Sequence, residues 1–323
     1  MTIPVPQVFS LNDIRPLIPR RSAGAHKWSV GSVMLIAGSP GYIGAPALAA
    51  MSASRSGAGI VDLVTASRIA NTIAGLVPET VLISLPDGEI GNGKRLLSTI
   101  GERAGRAHAF LLGPGIGTDD YAADLVRVLL GLSQNPGNRS LGFGDTNAAT
   151  ANAADERNLI DFVRPIVVDA DALTLLSAVP EWWKMVPADR LVLTPHAGEL
   201  SRLTGQQADD IAADPATAAH NAAVKFHQTI VLKGAPTTVA TADSVWQASD
   251  APTALATAGT GDVLSGSIAA FLAQGLAPVA ATKAAVAVGI AATRFLEPEV
   301  GVLGLVASDL PRAIARILAE TES

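Results

Sequence analysis

The feature that most limits what this chain can fold into is a unit that recurs along it: a short apolar run, a turn rich in small residues, then a helical stretch. Val33-Met34-Leu35-Ile36-Ala37 runs into Gly38-Ser39-Pro40-Gly41 and an Ala-rich segment over 45–56. Ile60 to Val64 precedes a helix from Ser67, and Ala109 to Leu112 runs into Gly113-Pro114-Gly115-Ile116-Gly117 and a helix from about Asp119. Ile166-Val167-Val168 leads to Asp169-Ala170-Asp171 and a helix, and Leu191-Val192-Leu193 to Thr194-Pro195-His196 and a helix over 198–203. Repetition of this unit implies parallel βαβ winding. The expected class is therefore α/β, with a central, mostly parallel sheet flanked by helices on both faces.

Thr229 to Leu232, Thr237 to Ala240 and Ser244 to Gln247 are closely spaced strand candidates, and the last two fit a hairpin around Ala242-Asp243. After Gly261 the pattern is helical, over 262–274, 278–295 and 308–320, with Asp262 and Ser308-Asp309 as start signals. No Pro/Gly/Ser-rich linker interrupts the rhythm, so a single domain over 1–323 is expected, with 1–30 as an N-terminal extension. The segment 133–156 is rich in Asn, Gly, Ala and Asp without periodicity and reads as a surface insertion.

Composition narrows the function classes. A formal charge of −6 with no basic stripe argues against nucleic acid or an anionic membrane as partner. The chain has no cysteine, which removes disulfides, thiolate metal sites and a cysteine nucleophile. Its 49% hydrophobic but only 4% aromatic content points to a core of closely packed small aliphatic residues. The first residues lack the apolar stretch of a signal peptide, and the apolar runs are too short and too broken to cross a bilayer. A soluble, cytoplasmic enzyme is the expectation.

The chemistry concentrates in the turns. Gly259-Thr260-Gly261-Asp262 precedes a helix, where glycines bare the backbone and the helix N-terminus favours an anion such as a transferring phosphoryl group. Asp262 there either caps the helix or accepts a proton from a substrate hydroxyl. Lys233-Gly234-Ala235-Pro236-Thr237 ends an apolar strand with nucleotide-facing residue types, at the sheet edge where open α/β folds bind ligands. The turn 113–117 could hold phosphates through backbone donors, although it lacks the lysine and hydroxyl of a Walker loop. Glu199 either reaches Mg²⁺ through a water or serves as a first-turn helix acid. Asp169 and Asp171 need not form a pair; either could help position Mg²⁺ or cap the next helix, with capping favoured for Asp171. His108, His220 and His227 lack metal-ligand spacing.

Taken in order, these blocks resemble the ADP- or ATP-dependent NAD(P)H-hydrate dehydratases, which have a ribokinase-like fold. The resemblance is carried by His26-Lys27, Gly38-Ser39 followed by Gly44-Ala45, the 113–117 turn, VVDADAL from Val167, LTPHAGEL from Leu193, VLKGAPT from Val231, ATAGTGDVLSG from Ala256 and Ala307-Ser308-Asp309-Leu310. It implies that the S-epimer of NADH or NADPH hydrate is phosphorylated on its ring hydroxyl by ADP or ATP, with Mg²⁺, and that phosphate then leaves. Asp262 would be the base and would also touch the hydrate, together with Ala45, Gly117 and His196. Lys233, Gly234, Ala235, Pro236, Thr237, Gly259, Thr260 and Gly261 would bind the nucleotide, and the nucleotide-side loop would extend back towards Pro252. The resemblance also implies a homo-oligomer such as a tetramer, with epimerisation left to a separate polypeptide. Trp28 stands where the family has Gly after His-Lys, Ala251-Pro252-Thr253 replaces a Gly-Asn-Pro-like lead, and no His-Gly occurs around Gly289. The alternative on the same fold is a kinase that keeps its product, such as a hydroxyethylthiazole or hydroxymethylpyrimidine kinase.

Overall fold

The computed structural model describes residues 3–86, 93–132 and 158–322. The segment 133–156 lies outside the described residues. The strands are β1 Gln7–Phe9, β2 Ser32–Ile36, β3 Ile60–Ala66, β4 Val81–Leu85, β5 Ala109–Leu112, β6 Ile166–Val168, β7 Leu191–Leu193, β8 Thr229–Leu232, β9 Thr238–Ala240 and β10 Val245–Ala248. They form one sheet in the order β1-β10-β9-β8-β7-β6-β5-β2-β3-β4. Pairing is parallel from β4 through β8, while β9 runs antiparallel to both β8 and β10, which makes the expected hairpin.

The helices are α1 Leu11–Ile14, α2 Gly44–Arg55, α3 Ser67–Leu76, α4 Gly93–Ala104, α5 Asp120–Leu129, α6 Asp171–Ser177, α7 Ala197–Thr204, α8 Ala208–Ala213, α9 Pro215–Phe226, α10 Thr260–Ala273, α11 Pro278–Gly304 and α12 Leu310–Glu322. Strand alternation divides the buried side chains between two cores. Val33 and Leu35 of β2 face one core with Ala49, Ile268, Ala284 and Ile314, while Met34 and Ile36 face the other with Leu125, Leu173 and Phe226. A sheet covered on both faces explains why its central strands are uninterrupted apolar runs.

Three expectations change. The N-terminal residues are not a mere extension, because β1 adds a parallel edge strand along β10 and buries Phe9, with Ile14 buried just behind it. A three-residue strand behind Pro4 and Pro6 carries too little alternation to be read in sequence. The last long helix also runs past 295 to Gly304, through a kink where Gly301 has φ +71°. By length and composition α11 could cross a bilayer, with a mean hydropathy of 1.5 over its most apolar 18 residues, contrary to the expectation that no run suffices. Half of that window is buried in the protein, and the helix packs on α10 and α12, so a place in the core accounts for its apolar composition.

The most extensive helix pair is α2 against α10. A Cβ added to Gly266 would lie 2.2 Å from the carbonyl oxygen of Ala49, so only glycine permits this approach. Ser52, Ser56 and Ser267 share hydroxyl hydrogen bonds of 2.7 and 2.8 Å across the same seam, and Ser52 also donates to the Val263 carbonyl. Small side chains thus let α10 pack closely against α2. Gly266→Ala is expected to lower stability by about 1–3 kcal/mol through overpacking. Gly101→Ala, in α4 where nothing stands within 4 Å, should instead raise it by roughly 0.5–1 kcal/mol. Denaturant unfolding of both variants checks the opposite signs.

Candidate active site

The direction of winding reverses between β2 and β5, and this switch point is where an open α/β sheet leaves a crevice beyond its strand ends. Two glycine turns meet there, with the Gly38 amide donating to the Pro114 carbonyl at 2.9 Å. Gly113, at φ +128°, is wedged so tightly that a Cβ would lie 1.9 Å from the Asp169 carbonyl oxygen. Gly115, at φ +64°, packs on Tyr42 and Ala45. Both positions demand glycine on conformational and steric grounds.

Beyond β6, β7 and β8 lies a cluster of charge. Lys233 Nζ is 2.9 Å from Asp169 Oδ1 and 3.6 Å from Glu199 Oε2. Asp169 is 1% exposed and also accepts the Thr194 hydroxyl at 2.7 Å. Burial pulls the Lys233 ammonium towards losing its proton, but the charges of Asp169 and Glu199 outweigh it and raise its pKa. Asp262, in the first turn of α10, is pushed up to about 7 by burial and then by the charge of Asp169, with a smaller contribution from Asp171 and against the pull of Lys233. A carboxyl group so placed is half-ionised near neutrality, as a general base requires. The N-cap of α10 is Gly259 at φ +91°, so Asp262 lies inside the helix rather than at its cap.

Next to this cluster lies a cavity of about 330 Å³. Lys233, Gly234, Ala235, Thr237, Thr260 and Gly261 line its polar end, the segment from Asp250 to Thr253 forms one wall, and Leu264, Val286, Ile290 and Ile314 help make an apolar remainder. Arg294 holds Asp250 in a two-pronged pair at 2.7 Å for each bond. Pro236 follows a cis peptide bond, and Gly259 turns against Leu48 and Ala307.

Among the residues expected to touch a second ligand, Ala45 is packed by Gly115, and the Gly117 amide donates to Asp171 Oδ2 at 2.9 Å. Asp171 therefore does not cap α6, whose N-cap Ala170 has no side-chain bond, and the capping reading is corrected. His196 caps α7: its Nδ1 accepts from the Gly198 and Glu199 amides, while Glu199 Oε2 accepts the His196 amide at 2.8 Å. Glu199 thus takes the first-turn helix role as well as facing Lys233. His196 keeps its Nε2 edge, 3.6 Å from Glu199 Oε1, on an exposed ring. Neither Thr194 as the support of Asp169 nor the Asp171–Gly117 link was legible in sequence. The DADA stretch signalled carboxylates without showing where each would point.

Comparisons with known proteins show the family and the fold. A family profile described as NAD(P)H-hydrate dehydratase matches residues 33–135 and 140–316, breaking inside the segment read as an insertion. A bifunctional NAD(P)H-hydrate repair enzyme of Salinibacter ruber is 35% identical over 95% of this chain, but only 52% of its own length is matched. The chain spans about half the length of such bifunctional relatives. An ADP-dependent (S)-NAD(P)H-hydrate dehydratase of Xanthomonas campestris is 30% identical, covering 93% of this chain and 92% of its own. A solved ADP/ATP-dependent NAD(P)H-hydrate dehydratase of Bacillus subtilis, co-crystallised with ATP and Mg²⁺, is 25% identical, with a TM-score of 0.74 over 99% of both chains. The fold is ribokinase-like, as expected.

The raised proton affinity of Asp262 has a consequence for stability. Its folded pKa of about 7 lies above the unfolded value of 3.8, so the folded state binds this proton more tightly. The associated stability is fully present below the unfolded value and is lost as pH rises towards 7, at most about 4 kcal/mol, less where solvent screens the partly open carboxylate. Asp262→Asn should therefore raise the melting temperature at pH 8, with the gain shrinking towards pH 4. Thermal melts across that range check the sign.

Proposed function

Because the chain belongs to the NAD(P)H-hydrate dehydratase family, we propose that it uses ADP or ATP to convert the S-epimer of NADH or NADPH hydrate back to NADH or NADPH. The observation that carries the reading is the placement of Asp262. Thr260 and Gly261 of its helix start line the cavity, and Asp262 feels the charge of Asp171, whose carboxylate accepts the Gly117 amide.

In this reading the nucleotide lies in the cavity, with its terminal phosphate at Gly259, Thr260 and Gly261, where the glycine backbone and the N-terminus of α10 favour negative charge. The hydrate lies against Ala45, Gly117 and His196. Asp262 takes the proton of the ring hydroxyl as that oxygen bonds to the terminal phosphorus and the bond to the leaving nucleotide breaks. The ring carbon–oxygen bond then breaks, phosphate leaves with the electron pair, and loss of a ring proton restores the double bond. Lys233 supplies positive charge beside Gly261, whose added Cβ would lie 3.5 Å from Nζ.

Mg²⁺ is the cation this chemistry implies. Among the described residues no group of three or more His, Asp or Glu could hold a metal by itself. The carboxylates of Asp169, Asp171, Glu199 and Asp262 outnumber the Lys233 ammonium, which fits a cation held mainly by phosphates and waters. Glu199, already engaged by the His196 amide and Lys233, would contribute through a bound water. When bound, Mg²⁺ would supply charge neutralisation on the phosphoryl oxygens. A homo-oligomeric, cytoplasmic enzyme completes the proposal.

A kinase that keeps its phosphorylated product would use the same turn. The family match and the dehydratase relatives aligned along most of the chain favour dehydration over that alternative.

The test is incubation of NADH hydrate with ADP or ATP and Mg²⁺, following the absorbance of reduced nicotinamide. Recovery with at least one nucleotide is expected, and none with either would overturn the proposal. Asp262→Asn should lose roughly 10²–10⁴-fold in kcat while keeping nucleotide affinity. The pH profile of kcat/KM should fall below about pH 7, because the base must be ionised. Asp169→Asn, which removes a negative neighbour, should move that limb to lower pH.

A further inference from the structure

We propose that Asp171 is a positioning residue for the acceptor side of the transfer site: its carboxylate tethers the Gly117 amide, and with it the end of the 113–117 turn. The inference rests on the acceptor role assigned to that turn above.

Three observations carry it. First, the turn is fixed unevenly. Gly113 and Gly115 are wedged by neighbours that a Cβ would strike at 1.9 and 2.6 Å, whereas the nearest atom to a Cβ at Gly117 would be the Ser39 hydroxyl oxygen at 3.8 Å. Packing thus sets the turn as far as buried Ile116 and leaves Gly117 itself to another restraint. Asp171 Oδ2, 2.9 Å from the Gly117 nitrogen, supplies a charge-assisted hydrogen bond there.

Second, Asp171 begins its own helix without capping it, so its carboxylate is left to meet Gly117. Third, the backbone is strained in a way that delivers it. Ala170 has φ +51° and ψ −123°, a conformation that residues with a Cβ rarely adopt. Chain direction changes at this residue, so Asp169 on one side meets Lys233 and Thr194 while Asp171 on the other meets Gly117. The strain is local to the two carboxylates. Asp171 also belongs to the charges that discourage ionisation of Asp262, which places it within electrostatic reach of the base.

The experiment compares Asp171→Ala with Asp171→Asn, since asparagine keeps an oxygen that can accept the Gly117 N–H and alanine does not. Amide hydrogen exchange at Gly117 should quicken about tenfold in Asp171→Ala and stay near wild type in Asp171→Asn. KM for the hydrate should rise about tenfold in the alanine variant, with KM for ADP or ATP within about twofold of wild type, and asparagine should restore the hydrate KM. Unchanged exchange at Gly117 in Asp171→Ala overturns the tether. Hydrate and nucleotide KM rising together overturns the positioning role in favour of a general structural one. If the wild-type protein regenerates no NADH, the functional reading fails, and exchange in the three proteins still decides whether Asp171 holds the turn.

Discussion

Lys233 leaves the end of β8 carrying a charge into a place where little water reaches, and the way that charge is met organises the turns around it. Asp169 comes from the end of β6 and Glu199 from the first turn of α7, so one ammonium joins consecutive strand ends of the sheet. A buried pair of this kind contributes little net stability, because desolvation offsets most of the attraction, yet removal of either partner leaves a costly lone charge. It acts as a geometric specification. With Thr194 donating to the same Asp169 oxygen, the carboxylate and the ammonium have few alternative arrangements. The polar end of the cavity and the surroundings of Asp262 inherit that definition.

Asp262 feels the charges of Asp169 and Lys233 from the first turn of α10, a helix whose place is set by close packing against α2. That packing depends on Gly266 against Ala49 and on the serine hydroxyls between α2 and α10, about one turn along the helix from Asp262. Small residues thus have a functional consequence. They set how deep the first turn of α10 sits, hence how thoroughly Asp262 is desolvated and how strongly it feels Asp169. The Ala-rich, aromatic-poor composition belongs to the same account, since bulky side chains would hold these helices apart.

Legibility from sequence followed the physical range of each signal. Central strands and their following helices were readable because burial on both faces makes long apolar runs and because glycine turns punctuate them. β1 was not, since three residues behind two prolines gain their structure from pairing with β10, far along the chain. At the site, residue types were informative and directions were not. Asp171 looked like a helix cap because a local rule applies to any aspartate preceding Ala-Leu; its bond to Gly117 depends on the fold bringing β5 next to β6. His196 and Glu199 show the converse, a local capping box whose outer side also faces Lys233. A local cap can therefore also take part in a long-range contact.

The centre of this site is assembled from arrangements that a protein selected only for stability would avoid: a base held near neutrality by burial, an alanine in a backbone conformation suited to glycine, and carboxylates in excess of the nearby ammonium. Each is destabilising alone, and each becomes intelligible if a phosphoryl donor and its cation complete the site. Positive charge from the cation would offset the carboxylates, and the ring hydroxyl would give the raised base a proton to accept. The surrounding scaffold is correspondingly rigid, with wedged glycines, a covered sheet and tightly packed small residues. Strain at the centre and close packing around it are complementary, since the first persists only where the second leaves the backbone no easier path.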